Sequence, residues 1–285
     1  MTPDISQQQA RPGRTAAMSP RPRDEMADYV GRGLLEGRTA LITGGDSGIG
    51  RAVAVAFAKE GADVSIAYLE ETDDARHTID LISDAGRDSL GMPGDMSHAE
   101  HCRDVVARTA AEFGRIDILV NNLAYQRPQK SLEAIDDEQW DRTFRTNVYS
   151  YFWVTKAALK HIPEGGSIIN TSSVNGLRGN SSLIDYAATK GAINAFTYSL
   201  AQSLVDRRIR VNCVAPGPVW TPLIPSTLPA ESVQRFGEDT PMGHTSHPDD
   251  IAPSYVFFAS ERLSGYYSGE ILAPTGGEIT AGCRP

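Results

Sequence analysis

From residue 38 onward the chain alternates between two apolar patterns. The first is a set of short, near-continuous apolar runs: Thr39-Ala-Leu-Ile42, Asp63-Val-Ser-Ile-Ala-Tyr68, Asp117-Ile-Leu-Val-Asn121, Ser167-Ile-Ile-Asn-Thr171 and Ile209-Arg-Val-Asn-Cys-Val214. Runs of this kind, apolar on both faces, suit strands covered by helices on either side. The second pattern is longer and helix-like, as in Arg51-Ala-Val-Ala-Val-Ala-Phe-Ala-Lys59. Together they predict strands at about 38–43, 63–68, 88–92, 117–121, 166–171, 209–214 and 270–273. The predicted helices are 48–60, 73–85, 98–113, 138–161, 183–205 and 249–260. Alternating strands and helices imply one doubly wound α/β domain, with a parallel sheet of about seven strands and helices on both faces. Ligands in such sheets bind beyond the carboxyl ends of the strands, where the strand order reverses. Thr43, Asn121, Thr171 and Pro216 all fall at or just past such ends.

Two segments stand outside this rhythm. Residues 1–37 are rich in Pro, Gln, Arg and Gly and lack apolar periodicity. They are expected to be a partly disordered tail, or an arm packing on a neighbouring subunit through Met26, Tyr29, Val30, Leu34 and Leu35. The domain proper then spans 38–285. Residues 218–247 form a long connection carrying Trp220, Leu223, Ile224, Leu228, Phe236 and Met242; a loop of that length in a compact domain is usually functional or disordered.

Composition narrows the partners. The chain has 285 residues and a net charge of -9, which argues against nucleic acid or an anionic membrane as the main partner. No apolar stretch is long enough for a membrane helix, and the N-terminus lacks the apolar core of a secretory signal. Cys102, Cys213 and Cys283 are scattered; they make neither a metal motif nor a disulfide framework and suit a reducing cytoplasm. No metal site is expected.

The candidate chemistry lies in two motifs. In Tyr186-Ala-Ala-Thr-Lys190 the phenol and the amine are four residues apart, on one helix face. An ammonium near a phenol favours the phenolate and draws its pKa toward the neutral range. Ser173 lies thirteen residues upstream of Tyr186, just after an apolar strand. From there its hydroxyl can hold a substrate oxygen beside the phenol. The second motif, Thr43-Gly-Gly-Asp-Ser-Gly-Ile-Gly50, joins a strand to a helix. A glycine turn there lets backbone approach a pyrophosphate, and the helix N-terminus offers free N–H groups.

The T-G-x-x-x-G-x-G spacing, together with Ser173, Tyr186 and Lys190, resembles the short-chain dehydrogenase/reductase family over about residues 38–280. The segments Arg142-Thr-Phe-Arg-Thr-Asn147 and Pro216-Gly-Pro-Val-Trp-Thr-Pro-Leu-Ile-Pro225 are most similar to its bacterial general-stress and glucose-dehydrogenase-like branch. The resemblance implies a Rossmann fold and hydride transfer between a nicotinamide cofactor and a carbonyl or alcohol, such as a sugar, polyol or small oxygenated carbonyl. It implies Ser173, Tyr186 and Lys190 as catalytic, Ser172 as the second choice of serine, and Asn147 as support for a water path to Lys190. Cofactor contacts would fall to Thr43, Gly44, Asp46, Ser47, Gly48, Ile49, Gly50, Glu70, Asp95, Met96, Asn122, Tyr186, Lys190, Pro216, Gly217, Val219 and Thr221. Asp95 would serve the adenine ring. Leu123 departs from the small residue usual in Asn121-Asn122-Leu123-Ala124.

Glu70 ends the second strand, where an acid can hold an adenosine ribose and repel a 2′-phosphate. Glu71, Asp73 and Asp74 add to that repulsion, and Ser47 stands where members preferring the phosphorylated cofactor often carry a basic residue. Arg51 is the counterweight. The balance favours NAD, with NADP possible. The loops after strands four and five offer Tyr125, Gln126, Arg127, Asn175, Arg178 and Asn180 toward the substrate. The resemblance also implies a homotetramer built through the helices at 138–161 and 183–205, and a lid at 218–247. A different class of function, a catalytically silent nicotinamide sensor or scaffold, would keep the fold without turnover.

Overall fold

The computed structural model describes residues 5–278; Met1–Asp4 and the tail from residue 279, including Cys283, lie outside the described residues. The apolar runs become strands β1 (Thr39–Thr43), β2 (Asp63–Tyr68), β3 (Ser89–Pro93), β4 (Ile118–Asn121), β5 (Ser167–Thr171), β6 (Arg210–Val214) and β7 (Ile271–Leu272). They form one sheet in the order β3-β2-β1-β4-β5-β6-β7, parallel throughout. The order reverses between β1 and β4, which opens a crevice beyond their carboxyl ends.

Alternation along the strands divides the core. In β1, Ala40 and Ile42 face one layer while Leu41 faces the other. The first layer is closed by α1 (Gly48–Lys59) and α10 (Pro248–Ala259), through residues such as Phe57 and Tyr255. The second is closed by α3 (Ala99–Phe113) and α5 (Ser150–Ala158), through Val105 and Val154. Burying a side chain such as Leu41 or Phe57 contributes about 1.5–3 kcal/mol. Helix α3 ends at Gly114, whose φ of 78° is the left-handed turn expected of glycine at a helix end.

The helix predicted over 138–161 is interrupted. Helix α4 (Asp137–Phe144), capped by the Asp136 side chain on the Gln139 N–H, runs into a π-helical segment, Arg145–Tyr149, before α5 begins. Asn147 sits inside this segment and is fully buried. Such widened turns are frequent at functional sites, and no periodicity announces them.

The N-terminal extension carries no apolar repeat, yet it packs against the fold. Residues 5–37 lie along their own domain. Met26 and Leu35 enter the α1–α10 layer, while Ile5 and Met18 pack with Trp220, Ile224 and Val233 of the 218–247 connection. Its Asp24 is buried against Arg51 at 3.2 Å. The physical reason is that this arm is largely extended and held by isolated side chains and buried polar bonds, so no apolar repeat marks it.

Candidate active site

Helix α7 (Ile184–Ser203) opens beside β5 and carries the phenol and amine. Its start is fixed by Asp185, which is buried and accepts hydrogen bonds from Gln139 Nε2 at 3.0 Å, Thr143 Oγ1 at 2.8 Å and the Tyr186 N–H at 2.9 Å. Helices α4 and α7 are therefore locked together at the level of Tyr186. One turn on, Lys190 Nζ donates to the Thr171 carbonyl at 2.8 Å and stands 5.5 Å from the Tyr186 ring centre.

Ser172 and Ser173 are distinguished by their bonds. The Ser172 hydroxyl donates to the Lys190 carbonyl at 2.9 Å. The Ser173 hydroxyl accepts from the Asn175 N–H at 3.1 Å and lies close enough to the Tyr186 phenol to pull its pKa down. Ser173 is thus the serine paired with the phenol.

Burial dominates the titration of both principal groups. It pushes Tyr186 up to about 12, with the Ser173 hydrogen bond pulling the other way. It pushes Lys190 down to about 7. Burial favours the uncharged forms of both groups, and no lowering of Tyr186 by Lys190 accompanies it.

These side chains face a cavity of about 1210 Å³ that also exposes the glycine loop. Gly44 and Gly48 have φ of 66° and 52°, in the left-handed region. A Cβ on Gly50 would overlap the Gly44 carbonyl, so the loop can close this tightly only with glycine there. Ser47 caps α1 without a side-chain bond to the helix, and its hydroxyl donates to Asp46 instead. This flat loop against a helix N-terminus fits a pyrophosphate. Asp46 is pushed up to about 7 by burial and then by the nearby Glu71.

Most expected residues share this cavity. Its wall includes Gly44, Asp46, Ser47, Gly48, Ile49, Glu70, Asp95, Met96, Asn122, Ser173, Tyr186, Lys190, Pro216, Gly217, Val219 and Thr221. Three expected residues stand behind the wall. Thr43 accepts from the Asn122 N–H at 3.0 Å, and Gly50 supports Gly44. Asn147 donates to the Tyr125 carbonyl and to Thr189, and accepts from the Tyr125 N–H at 2.7 Å. The Asn147 side chain therefore anchors the loop after β4. Thr43 and Gly50, expected among the cofactor contacts, thus stand behind the wall and not in it.

Other residues change role. Arg51 is buried and bonded to Asp24, to Asp74 at 2.9 Å and to the Asp46 carbonyl, so it is a loop brace and not a phosphate ligand. Asp95 accepts from the Ser97 N–H and from Arg142 at 2.7 Å. Leu123 is half-buried: its side chain packs against the core and borders the cavity, and its carbonyl accepts from the Tyr151 hydroxyl at 3.0 Å. Tyr125, Gln126, Asn175, Arg178 and Asn180 line the cavity, whereas Arg127 is exposed and does not.

Arg11, Pro12 and Gly13, which the sequence did not mark, also lie in the cavity wall. No pattern in the extension signals this. The sequence reading also missed Arg142 as a wall residue, although that arginine belongs to a motif already singled out. Among the described residues, no cluster of metal-ligating side chains exists and no helix is long and apolar enough to cross a membrane.

A glycine cradle and a buried phenol–amine pair opening on one crevice of a doubly wound sheet define a dinucleotide-type oxidoreductase. Residues 44–278 match the family model described as enoyl-(acyl carrier protein) reductase. General stress protein 39 of Bacillus subtilis (strain 168) is 51% identical, over 95% of this chain and 95% of the relative. Glucose and ribitol dehydrogenase of Daucus carota is 46% identical, over 96% of each. Among solved structures, a short-chain dehydrogenase from Burkholderia cenocepacia J2315 in complex with NADP superposes with a TM-score of 0.79 at 33% identity, covering 85% of this chain and 98% of that one. The chain belongs to the short-chain dehydrogenase/reductase family of oxidoreductases.

Proposed function

We propose that the protein interconverts a carbonyl and an alcohol using a nicotinamide dinucleotide, with Tyr186, Ser173 and Lys190 as the acting residues. The observation that carries this reading is the single cavity bounded both by the glycine loop and by the Ser173–Tyr186 pair. A nicotinamide, when bound, supplies or accepts a hydride. Tyr186, protonated at neutral pH, donates its proton to the carbonyl oxygen in reduction and takes it back in oxidation. Ser173 hydrogen-bonds the same oxygen where negative charge grows. Lys190 positions the phenol and the Thr171 carbonyl beside it. Asn147 acts through the Tyr125 loop, and a water path from it to Lys190 is part of the proposal.

NAD is the favoured partner. Glu70 and Glu71 flank the cavity beyond β2, and Arg51, the one cation that counted toward a phosphate, is held by Asp24 and Asp74. The superposed Burkholderia enzyme binds NADP, so the preference rests on this chain's own acids. The substrate is a small oxygenated carbonyl or polyol, supported by the polar wall of Tyr125, Gln126, Asn175 and Asn180. A homotetramer is supported by Tyr149, Phe152 and Tyr198, exposed on α5, α7 and the π segment. A cytoplasmic setting fits the scattered free thiols.

The test is NADH consumption across a panel of aldehydes and ketones. Activity lost in Tyr186→Phe supports the reading; tight NADH binding without turnover on any carbonyl would transfer the protein to the silent-sensor class.

A further inference from the structure

The arm that precedes the domain reaches the far side of the substrate cavity. There it crosses the short lid helices α8 (Leu223–Thr227) and α9 (Ala230–Gln234). The carbonyls at the end of a helix have no partner within it. Two of those on α8 are taken by the arm: the Gln9 N–H donates to the Pro225 carbonyl at 2.9 Å, and Arg11 Nε donates to the Ser226 carbonyl at 3.2 Å. Gly13 lies so close to the Pro222 carbonyl that a Cβ would overlap it. Further along, Trp220 Nε1 donates to the Pro20 carbonyl at 2.8 Å, and the Ile5 N–H donates to Gln234 Oε1 at 2.7 Å. The arm therefore fixes the lid and sets Arg11 on the cavity wall.

Arg11 differs from the other arginines there. Arg142 pairs with Asp95, Arg178 with Glu278 and Arg235 with Glu238. Among the described residues Arg11 has no carboxylate partner. Its guanidinium lies over the Tyr125 ring, 4.9 Å from the centre, with one edge held by Ser226. The Nε bond and the contact with the Tyr125 ring hold this exposed side chain at the cavity wall and leave its two terminal nitrogens as donors. The same cavity carries Glu231 and Asp239, so its acids oppose an anionic substrate.

We propose that Arg11 is a specificity residue, which hydrogen-bonds a hydroxyl oxygen of the substrate remote from its reacting carbonyl. The preferred substrate is then a neutral hydroxylated aldehyde or ketone. This rests on the oxidoreductase reading and deepens it by naming what the extension recognises.

The experiment compares the wild-type chain with Arg11→Ala on glyceraldehyde and on propanal, which has the same carbon length without the hydroxyls. Loss of a bond to a charged donor costs about ten-fold or more. Arg11→Ala is expected to lower kcat/KM for glyceraldehyde at least ten-fold, through KM, and to change that for propanal less than two-fold. Trp220→Phe, which loosens the arm while keeping the guanidinium, is expected to lower both substrates together. Equal losses on the two aldehydes in Arg11→Ala, or no loss, would overturn the proposal. A second readout needs no turnover: glyceraldehyde binding to Tyr186→Phe protein, followed by ligand-observed NMR, with and without Arg11→Ala. Binding weakened by the substitution supports Arg11 even if no variant turns over, an outcome that would fault only the oxidoreductase reading. Unchanged binding counts against Arg11 even in an active enzyme.

Discussion

Lys190 Nζ stands 5.5 Å from the centre of the Tyr186 ring and donates to the Thr171 carbonyl at 2.8 Å. The amine is thus fixed by backbone at the base of the phenol, while burial raises the phenol to about 12. A phenol of that pKa is almost wholly protonated at neutral pH. In the proposed reaction it would serve as an acid for carbonyl reduction, and its ionised form would be scarce for alcohol oxidation. Below the pKa, the ionised fraction grows ten-fold per pH unit. We therefore predict that oxidation accelerates with pH between 7 and 10 while reduction stays nearly level. Initial rates in both directions test this, and an oxidation rate flat across that range would reject Tyr186 as the base. Tyr186→Phe is expected to lower both directions by roughly 10²–10⁴-fold.

Lys190 itself gives a stability signature. Its folded pKa is lowered to about 7 from an ordinary 10.5, so between those values the unfolded chain binds the extra proton. Stability then rises with pH across that window, and below about 7 the cost of the buried ammonium is present in full. The slope from one group is at most about 1.4 kcal/mol per pH unit. Lys190→Met should flatten this part of the profile. Thermal unfolding of both proteins at pH 6, 7.5 and 9 provides the check; parallel profiles would show that the lysine does not titrate there.

Most of this site was legible because its parts are local. The glycine loop is a contiguous turn between a strand and a helix, and Tyr186 and Lys190 share one helix turn. What was not legible depends on distant segments meeting. Asn147 marks a motif, but its contact with the backbone of Tyr125 follows from a π turn that side-chain spacing cannot reveal. Arg51 reads as a cation at a helix start, and only the fold brings Asp24 and Asp74 onto it. The lowering of Tyr186 by Lys190 was an argument about charge alone; the depth of the cavity reverses its outcome. The arm was unreadable because extended chain held by single anchors has no period.

We predict that cofactor choice turns on Glu70. Its N–H donates to Glu71 Oε2 at 2.8 Å, and both acids border the cavity beyond β2. With Arg51 occupied, nothing in that stretch compensates a 2′-phosphate. Glu70→Ala is expected to improve NADPH binding about ten-fold, roughly 1.4 kcal/mol, with a smaller loss for NADH. Fluorescence titration of both cofactors against both proteins measures it. Wild-type protein binding NADPH more tightly than NADH would reverse the assignment.

Asp24 links the arm to the glycine loop. Its carboxylate meets Arg51 at 3.2 Å and accepts the Gly48 N–H at 3.1 Å, with both side chains 1% exposed. Removing one partner of so buried a pair leaves Arg51 with Asp74 as its remaining counterion, so the cost stays below the roughly 3 kcal/mol of a fully unpaired buried charge. Arg51 keeps Asp74, so the fold is expected to survive while the start of α1 loosens. Asp24→Asn should lower the melting temperature by several degrees and weaken NADH binding, although residue 24 lies outside the cavity wall. Restoring neither charge nor geometry, Asp24→Ala should be worse on both counts. A melting temperature and an NADH affinity equal to wild type in Asp24→Asn would mean that the arm only rests on the loop and does not brace it.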